Sequence, residues 1–196
     1  MWPWGHAAVG YLLYALFTYL ADREPPGDIA TVILAIATQM PDLIDKPLAY
    51  SFQVLPTGRS LAHSLLFAVP LCILAWRVAR SAEQWQAFAV GYGSHLLADS
   101  YAALLAGRFE MATFLLWPVL PSPEYSTESF AGHWLQLLDS LSSVTVDSVV
   151  AGALPMVVYQ GLLAAGVAVI WLLHGTPGVQ WMYRWLRSRV VGIVRR

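Results

Sequence analysis

Long apolar runs alternate with short polar breaks along the chain. The runs at 4–21, 61–78, 86–106 and 149–173 approach or exceed the roughly 18 apolar residues needed to cross a bilayer, and each predicts a membrane-spanning helix. A shorter apolar run at 29–40 is counted as a fifth span, although runs of roughly 10–14 residues are often buried or re-entrant. The breaks are legible. DREPPGD (22–28) predicts a tight polar loop, PDLIDKPLAYSFQVLPTGR (41–59) a Pro-rich loop, and PSPEYSTES (121–129) opens a polar segment that ends in the last span. Within that segment His133, Leu137, Leu141 and Val144 are spaced for one face of an amphipathic helix on the membrane surface, either a lid over a site or a solvated helix. The tail at 179–196, VQWMYRWLRSRVVGIVRR, holds five arginines and no acid, which suits an interfacial helix on an anionic leaflet or a plain stop-transfer anchor.

The fold class expected is therefore all-α: a polytopic membrane protein with about five transmembrane helices, an amphipathic outer segment and a basic C-terminal interfacial helix. One helical membrane domain, 1–178, precedes the tail at 179–196. Residues 1–6 lack the basic start of a secretory signal and the first run has no A-x-A cleavage site, so that run is expected to be retained as a helix.

Composition agrees with the pattern. The chain is 58% hydrophobic and 12% charged with mean hydropathy +0.57, where a soluble domain is roughly 25% charged. A net charge of -1 offers no general attraction to nucleic acid, so the partners expected are membrane lipids and a lipid-like substrate. Cys72 is the single cysteine, which excludes an internal disulfide and a thiolate metal cluster and leaves a small buried apolar residue.

Arginines set the expected orientation in a plasma or inner membrane. Arg77 and Arg80 follow the 61–78 run and the basic tail follows the last, so both ends should be cytoplasmic. Five spans then place the N-terminus outside, the 22–28 loop inside, and the 41–59 and 107–148 segments outside. His6, Asp42, Asp45, His63, His95 and Asp99 thereby fall at one membrane face, provided that 29–40 crosses.

Ionisable groups at such depth cost about 2.5–3.5 kcal/mol each on insertion scales, so they pair, face cavities and tend to be functional. His95 and Asp99 stand at i, i+4 on one helical face, as ligands of one ion would; alone, the pair reads as helix–helix glue. With His6, Asp42 and His63 beside them the set becomes a candidate metal site. Asp45 is a candidate second-metal ligand, general base or orienting group, and Ser64, Ser94 and Ser100 could orient ligands. Arg59, i, i+4 from His63 and on the face that basic residues avoid, is a candidate phosphate clamp, an aspartate partner or a snorkelling side chain; Ser60 could cap the third span. His133, Asp139 and Asp147 are not counted as ligands, and His174 is expected to favour the carbonyls that end the last span. Imidazoles mixed with carboxylates suit zinc first, then manganese or iron, as one ion or as two about 3.5–4 Å apart.

In order, GHAAVGY, PDLID, GRSLAHSLL, GYGSHLLADS and LLWPVLP, spanning residues 5–121, resemble the YdjM-like family of membrane-bound, metal-dependent hydrolase-like proteins. The resemblance implies a helical inner-membrane protein whose family His and Asp positions fall on His6, Asp42, His63, His95 and Asp99. Family members often carry a histidine just before the arginine of the third motif; this chain has Gly58 there. The HxxxD in an all-helical His/Asp site is also similar, by fold-level analogy, to zinc-dependent phospholipases C.

The expected function is a metal-dependent hydrolase of a lipid-borne or amphiphilic ester, a phosphoester foremost, at the outer face. The alternatives are a small transporter with a His95–Asp99 proton relay, or a membrane scaffold. Against a transport path, 64–76 and 149–173 carry no Asp, Glu, His, Lys or Arg.

Overall fold

Pro3 at the first turn opens α1 (Pro3–Asp22), which closes where Arg23 turns left-handed at φ 59° and its N–H reaches the Tyr19 carbonyl. The computed structural model describes residues 1–124 and 129–194. After α1 come α2 (Asp28–Ala37), α3 (Met40–Lys46) running into a π-helical turn at Pro47–Ser51, α4 (Leu65–Val78), α5 (Ala82–Leu105) and a 3₁₀ helix at Phe109–Leu116. The rest is α6 (Phe130–Ser142), α7 (Val146–Val150), α8 (Met156–Leu173) and α9 (Val179–Val194); no strand occurs among the described residues. The protein is all-helical, as its sequence pattern requires.

α5 is the spine. At its start the Tyr14 hydroxyl of α1 donates to the Glu83 carbonyl (3.0 Å), and the Gly27 N–H, just before α2, donates to the Glu83 carboxylate (2.9 Å). Twelve residues further on, His95 stacks on His6 of α1 and bonds the Thr38 carbonyl that ends α2. α1 therefore runs antiparallel to α5 and α2 parallel to it. α8 runs beside α1, tied near its start by the Trp2 N–H to Gln160 (2.8 Å) and at its end by the Tyr11 hydroxyl to His174 (2.8 Å). His174 thus meets a tyrosine of α1, where sequence expected helix-terminal carbonyls.

Glycines permit the close approach of α2 to α5 and α1. A Cβ on Gly91 would lie 2.9 Å from the Leu34 carbonyl oxygen and 3.0 Å from Ala37 Cβ, and one on Gly10 would collide with the Thr38 methyl. Around these contacts Tyr11, Tyr14, Ala30, Leu34, Ala87 and Val167 form the main buried core.

Several sequence expectations change. The segment at 41–59 begins with helix α3 and a π-helical turn, because Pro41 starts a helix at its first turn as readily as it interrupts one. Ser64, accepting from the Leu66 N–H, caps α4, so Ser60 lies outside that helix. The last expected span breaks into α7 and α8 between 151 and 155, where Gly152 takes φ 66° and Pro155 precedes α8. Among the described residues α8 alone is both long and apolar enough to cross a bilayer by itself; α4 is apolar but shorter. α2, at 10 residues, is about 15 Å long, half a hydrocarbon core, while tyrosines, His6, His95 and Asp99 dilute the apolar character of α1 and α5. The arginine tail is partly described: α9 packs on α2 with Arg184 3.3 Å from Asp28, whereas the side chains of 189–196 and the stretch 125–128 lie outside the described residues.

Gly91→Val should lower the thermal midpoint in detergent by the equivalent of about 1–3 kcal/mol through overpacking. Gly93→Ala on the same helix, with nothing within 4 Å of its Cβ, should leave it unchanged or raise it. Equal midpoints for the two variants would contradict the tight α2–α5 seam.

Candidate metal centre

Asp45 organises the site from behind. It is fully buried, and its oxygens accept from the backbone N–H groups of Ser60 (2.9 Å), Ala62 (2.8 Å) and His63 (3.2 Å) and from His63 Nδ1 (2.8 Å). These bonds wrap the 57–64 loop around one carboxylate; the Tyr92 hydroxyl, donating to the Ala62 carbonyl, ties the loop to α5. Since a carboxylate only accepts, Nδ1 of His63 carries a hydrogen, and in the neutral ring Nε2 then keeps the lone pair.

The same logic fixes His95. Its Nδ1 lies 2.7 Å from the Thr38 carbonyl, so it donates, and its Nε2 lone pair points away. The two lone-pair nitrogens stand 3.1 Å apart. Nitrogen lone pairs repel at that distance unless a cation, a proton or a metal, sits with them.

Carboxylates complete the set. Asp42 Oδ1 is 3.6 Å from His63 Nε2 and 3.9 Å from His95 Nε2, and Asp99 Oδ2 has the same two spacings. Ligand atoms of Asp42, His63, His95 and Asp99 all lie within 4.8 Å of one another. Four ligands around zinc at about 2.0–2.1 Å stand about 3.3 Å apart, so small side-chain shifts would close this set on one ion. His6 stacks on His95 at 3.7 Å between centroids, with Nε2 3.4 Å from Asp99 Oδ1, and neither of its buried ring nitrogens has a hydrogen-bond partner among the described residues. Such orphaned nitrogens are costly in an apolar interior, and a further ligand role would satisfy one of them.

Cations border the cluster. Lys46 Nζ is 2.7 Å from Asp42 Oδ2, Arg59 Nε is 2.9 Å from Asp99 Oδ2, and the Met1 amine is 2.7 Å from Asp99 Oδ1.

Over residues 1–184 the chain matches the family model described as YdjM inner membrane protein. The chain belongs to the YdjM family. No curated protein and no solved structure matches it. Membership supports a membrane location and agrees with the apolar side chains left exposed on three helices, such as Leu16 and Leu20 on α1, Leu74 on α4 and Leu162 on α8.

Of the residues singled out from sequence, Asp42, His63, His95 and Asp99 meet, His6 lies against them, Arg59 borders them and Asp45 stands behind His63. Ser64, Ser94 and Ser100 donate to the backbone carbonyls of Trp117, Gly91 and Leu96. Asp139 and Asp147 are exposed, while His133 lines a cavity of about 660 Å³ that opens beside Asp42 and Arg59. Sequence reading missed Lys46 and Tyr50 in that cavity. Lys46 had a signal, its i, i+4 spacing from Asp42; Tyr50 had none, because a π-helical turn aims it.

Protein purified in detergent should retain a divalent transition metal near stoichiometry by elemental analysis. His95→Ala and Asp99→Asn should remove it, and Asp45→Asn should weaken affinity by about 10–100-fold through His63 orientation. Full stability and no metal in the wild type, unchanged by added zinc or manganese, would exclude the centre.

Proposed function

We propose that this YdjM family member is a membrane-embedded, metal-dependent hydrolase of a lipid-borne or other amphiphilic ester, a phosphoester foremost. The observation that carries the reading is the pair of imidazole lone pairs 3.1 Å apart, oriented by Asp45 and the Thr38 carbonyl and flanked by Asp42 and Asp99. That donor set fits zinc, with manganese or iron next, and His6 offers one further ring nitrogen beside it. A bound ion would lower the pKa of its water and so supply the nucleophile.

The protein's own groups do the rest. Asp45 holds His63 in the tautomer that presents Nε2, Lys46 and Arg59 balance the carboxylates, and Arg59, lining the cavity, clamps the phosphoryl oxygens. Asp45 has its oxygens committed to four hydrogen bonds, which favours the orienting role over general base. A transport path gains no support from this geometry, since the polar groups gather at one end of the bundle.

The proposal includes five crossings, by α1, α2 with α3, α4, α5 and α8. α2 travels from the Glu83 level of α5 to the His95 level in the sense opposite to α1, as a crossing element would. The site end then faces outside, and the arginine-bearing end of α4 and α9 faces the cytoplasm.

Reconstituted wild type should cleave a member of a panel of phospholipids and polyprenyl phosphates, with activity lost on chelation and restored by zinc or manganese. Arg59→Gln should lower turnover about a hundredfold or more with metal content retained. Turnover indifferent to chelation would overturn the reading. In a Cys72→Ala background, Ser51→Cys should label from outside and Glu24→Cys only after permeabilisation; labelling of both from one side would overturn the topology.

A further inference from the structure

The cavity beside the cluster is lined by polar and apolar side chains together. Lys46 and Arg59 stand where it meets the cluster, each against a different carboxylate. Trp2, Leu43, Phe130 and Trp134 form its apolar wall. α6 builds much of that wall: Trp134 meets Trp2 at 5.8 Å between ring centroids, and Phe130 meets Tyr50 edge-on at 5.2 Å. The outer face of α6 leaves Leu135, Leu138 and Leu141 exposed, so the wall is itself bordered by an apolar surface suited to lipid.

Resting on the reading of the cluster as a metal centre, we propose that the cavity takes an amphiphilic phosphomonoester: one apolar chain against the α6 wall and a terminal, dianionic phosphate beside Lys46 and Arg59. The charge balance argues for the monoester. Lys46, Arg59, the Met1 amine and a divalent cation bound by the Asp42/His63/His95/Asp99 set would face the three carboxylates Asp42, Asp45 and Asp99 with two positive charges in excess, which a dianionic terminal phosphate matches. A phosphodiester carries a single negative charge and would leave one of the two uncompensated. Lys46 is a substrate-contacting residue in this assignment, as well as the counter-ion of Asp42. The reaction is hydrolysis of the terminal ester. The water oxygen bonds to phosphorus, the bond from phosphorus to the alkyl oxygen breaks, and that oxygen takes a proton, giving a lipid alcohol and inorganic phosphate.

The test reads binding rather than turnover. Metal-loaded protein in zwitterionic-lipid nanodiscs is titrated with a chain-brominated alkyl phosphonate, which cannot be hydrolysed, and with its monomethyl ester of the same chain. Saturable quenching of tryptophan fluorescence reports occupancy, and inorganic phosphate is the competitor. The dianionic phosphonate should bind about tenfold or more tighter than its methyl ester. Lys46→Gln should erase that preference and Lys46→Arg restore most of it, with metal content equal in all three proteins. Equal affinity for phosphonate and methyl ester, or a preference untouched in Lys46→Gln, would overturn the monoester assignment. Inorganic phosphate competing as strongly as the amphiphile would overturn the role of the apolar wall. The preference seen without release of phosphate from any lipid phosphomonoester would uphold the binding site and remove the hydrolase.

Discussion

Compensation of buried negative charge is the constraint on which this molecule turns. Asp42, Asp45 and Asp99 lie in an interior made of apolar helices, where an unpaired carboxylate costs several kcal/mol. Each has a different answer. Asp45 is answered by three backbone N–H groups and an imidazole N–H, Asp42 by Lys46, and Asp99 by Arg59 and the Met1 amine. These answers leave Nε2 of His63 and Nε2 of His95 facing each other 3.1 Å apart, and a shared proton or a metal ion would hold the two together beside the inner carboxylate oxygens.

The fold serves that constraint through backbone proximity. Gly10 and Gly91 let α1, α2 and α5 approach until the carbonyl ending α2 reaches His95 and the rings of His6 and His95 stack. The 57–64 loop, wound on Asp45, then brings His63 across from a different part of the chain. The residues of the candidate site thus come from α3, the loop before α4, and α5, with His6 of α1 against them, and ordering them demands the packed bundle. Loss of packing at the glycine seam would therefore be felt at the candidate site as well as in stability.

Placement matters for the chemistry. The cluster sits in the later half of α5, with the cavity beside it walled by α6, so a reacting group could meet the ligands while its apolar part stays among aromatic side chains. This also accounts for an amphipathic α6 that buries little beyond Leu137 into the protein: its Phe130 and Trp134 serve the cavity and its leucines face outward.

Sequence by itself determined the all-helical class, the break at 22–28, the family, and the residues that gather in the candidate site, because apolar run length and the rarity of ionisable groups within such runs are local properties. The i, i+4 spacing of His95 and Asp99 was likewise legible, since helical periodicity alone places both on one face. What only tertiary structure decided was the division of labour. Asp42 and Asp45 sit three apart in one motif and look alike in sequence, yet one faces the cluster and the other backs His63. Tyr50 and the α6 aromatics entered the cavity through a π-helical turn and a helix packed from far along the chain. The break between α7 and α8 depended on a positive-φ glycine inside an otherwise apolar run. Contacts of this kind join residues that no local pattern relates, so the direction in which a carboxylate points was fixed only when the loop that hydrogen-bonds it had folded.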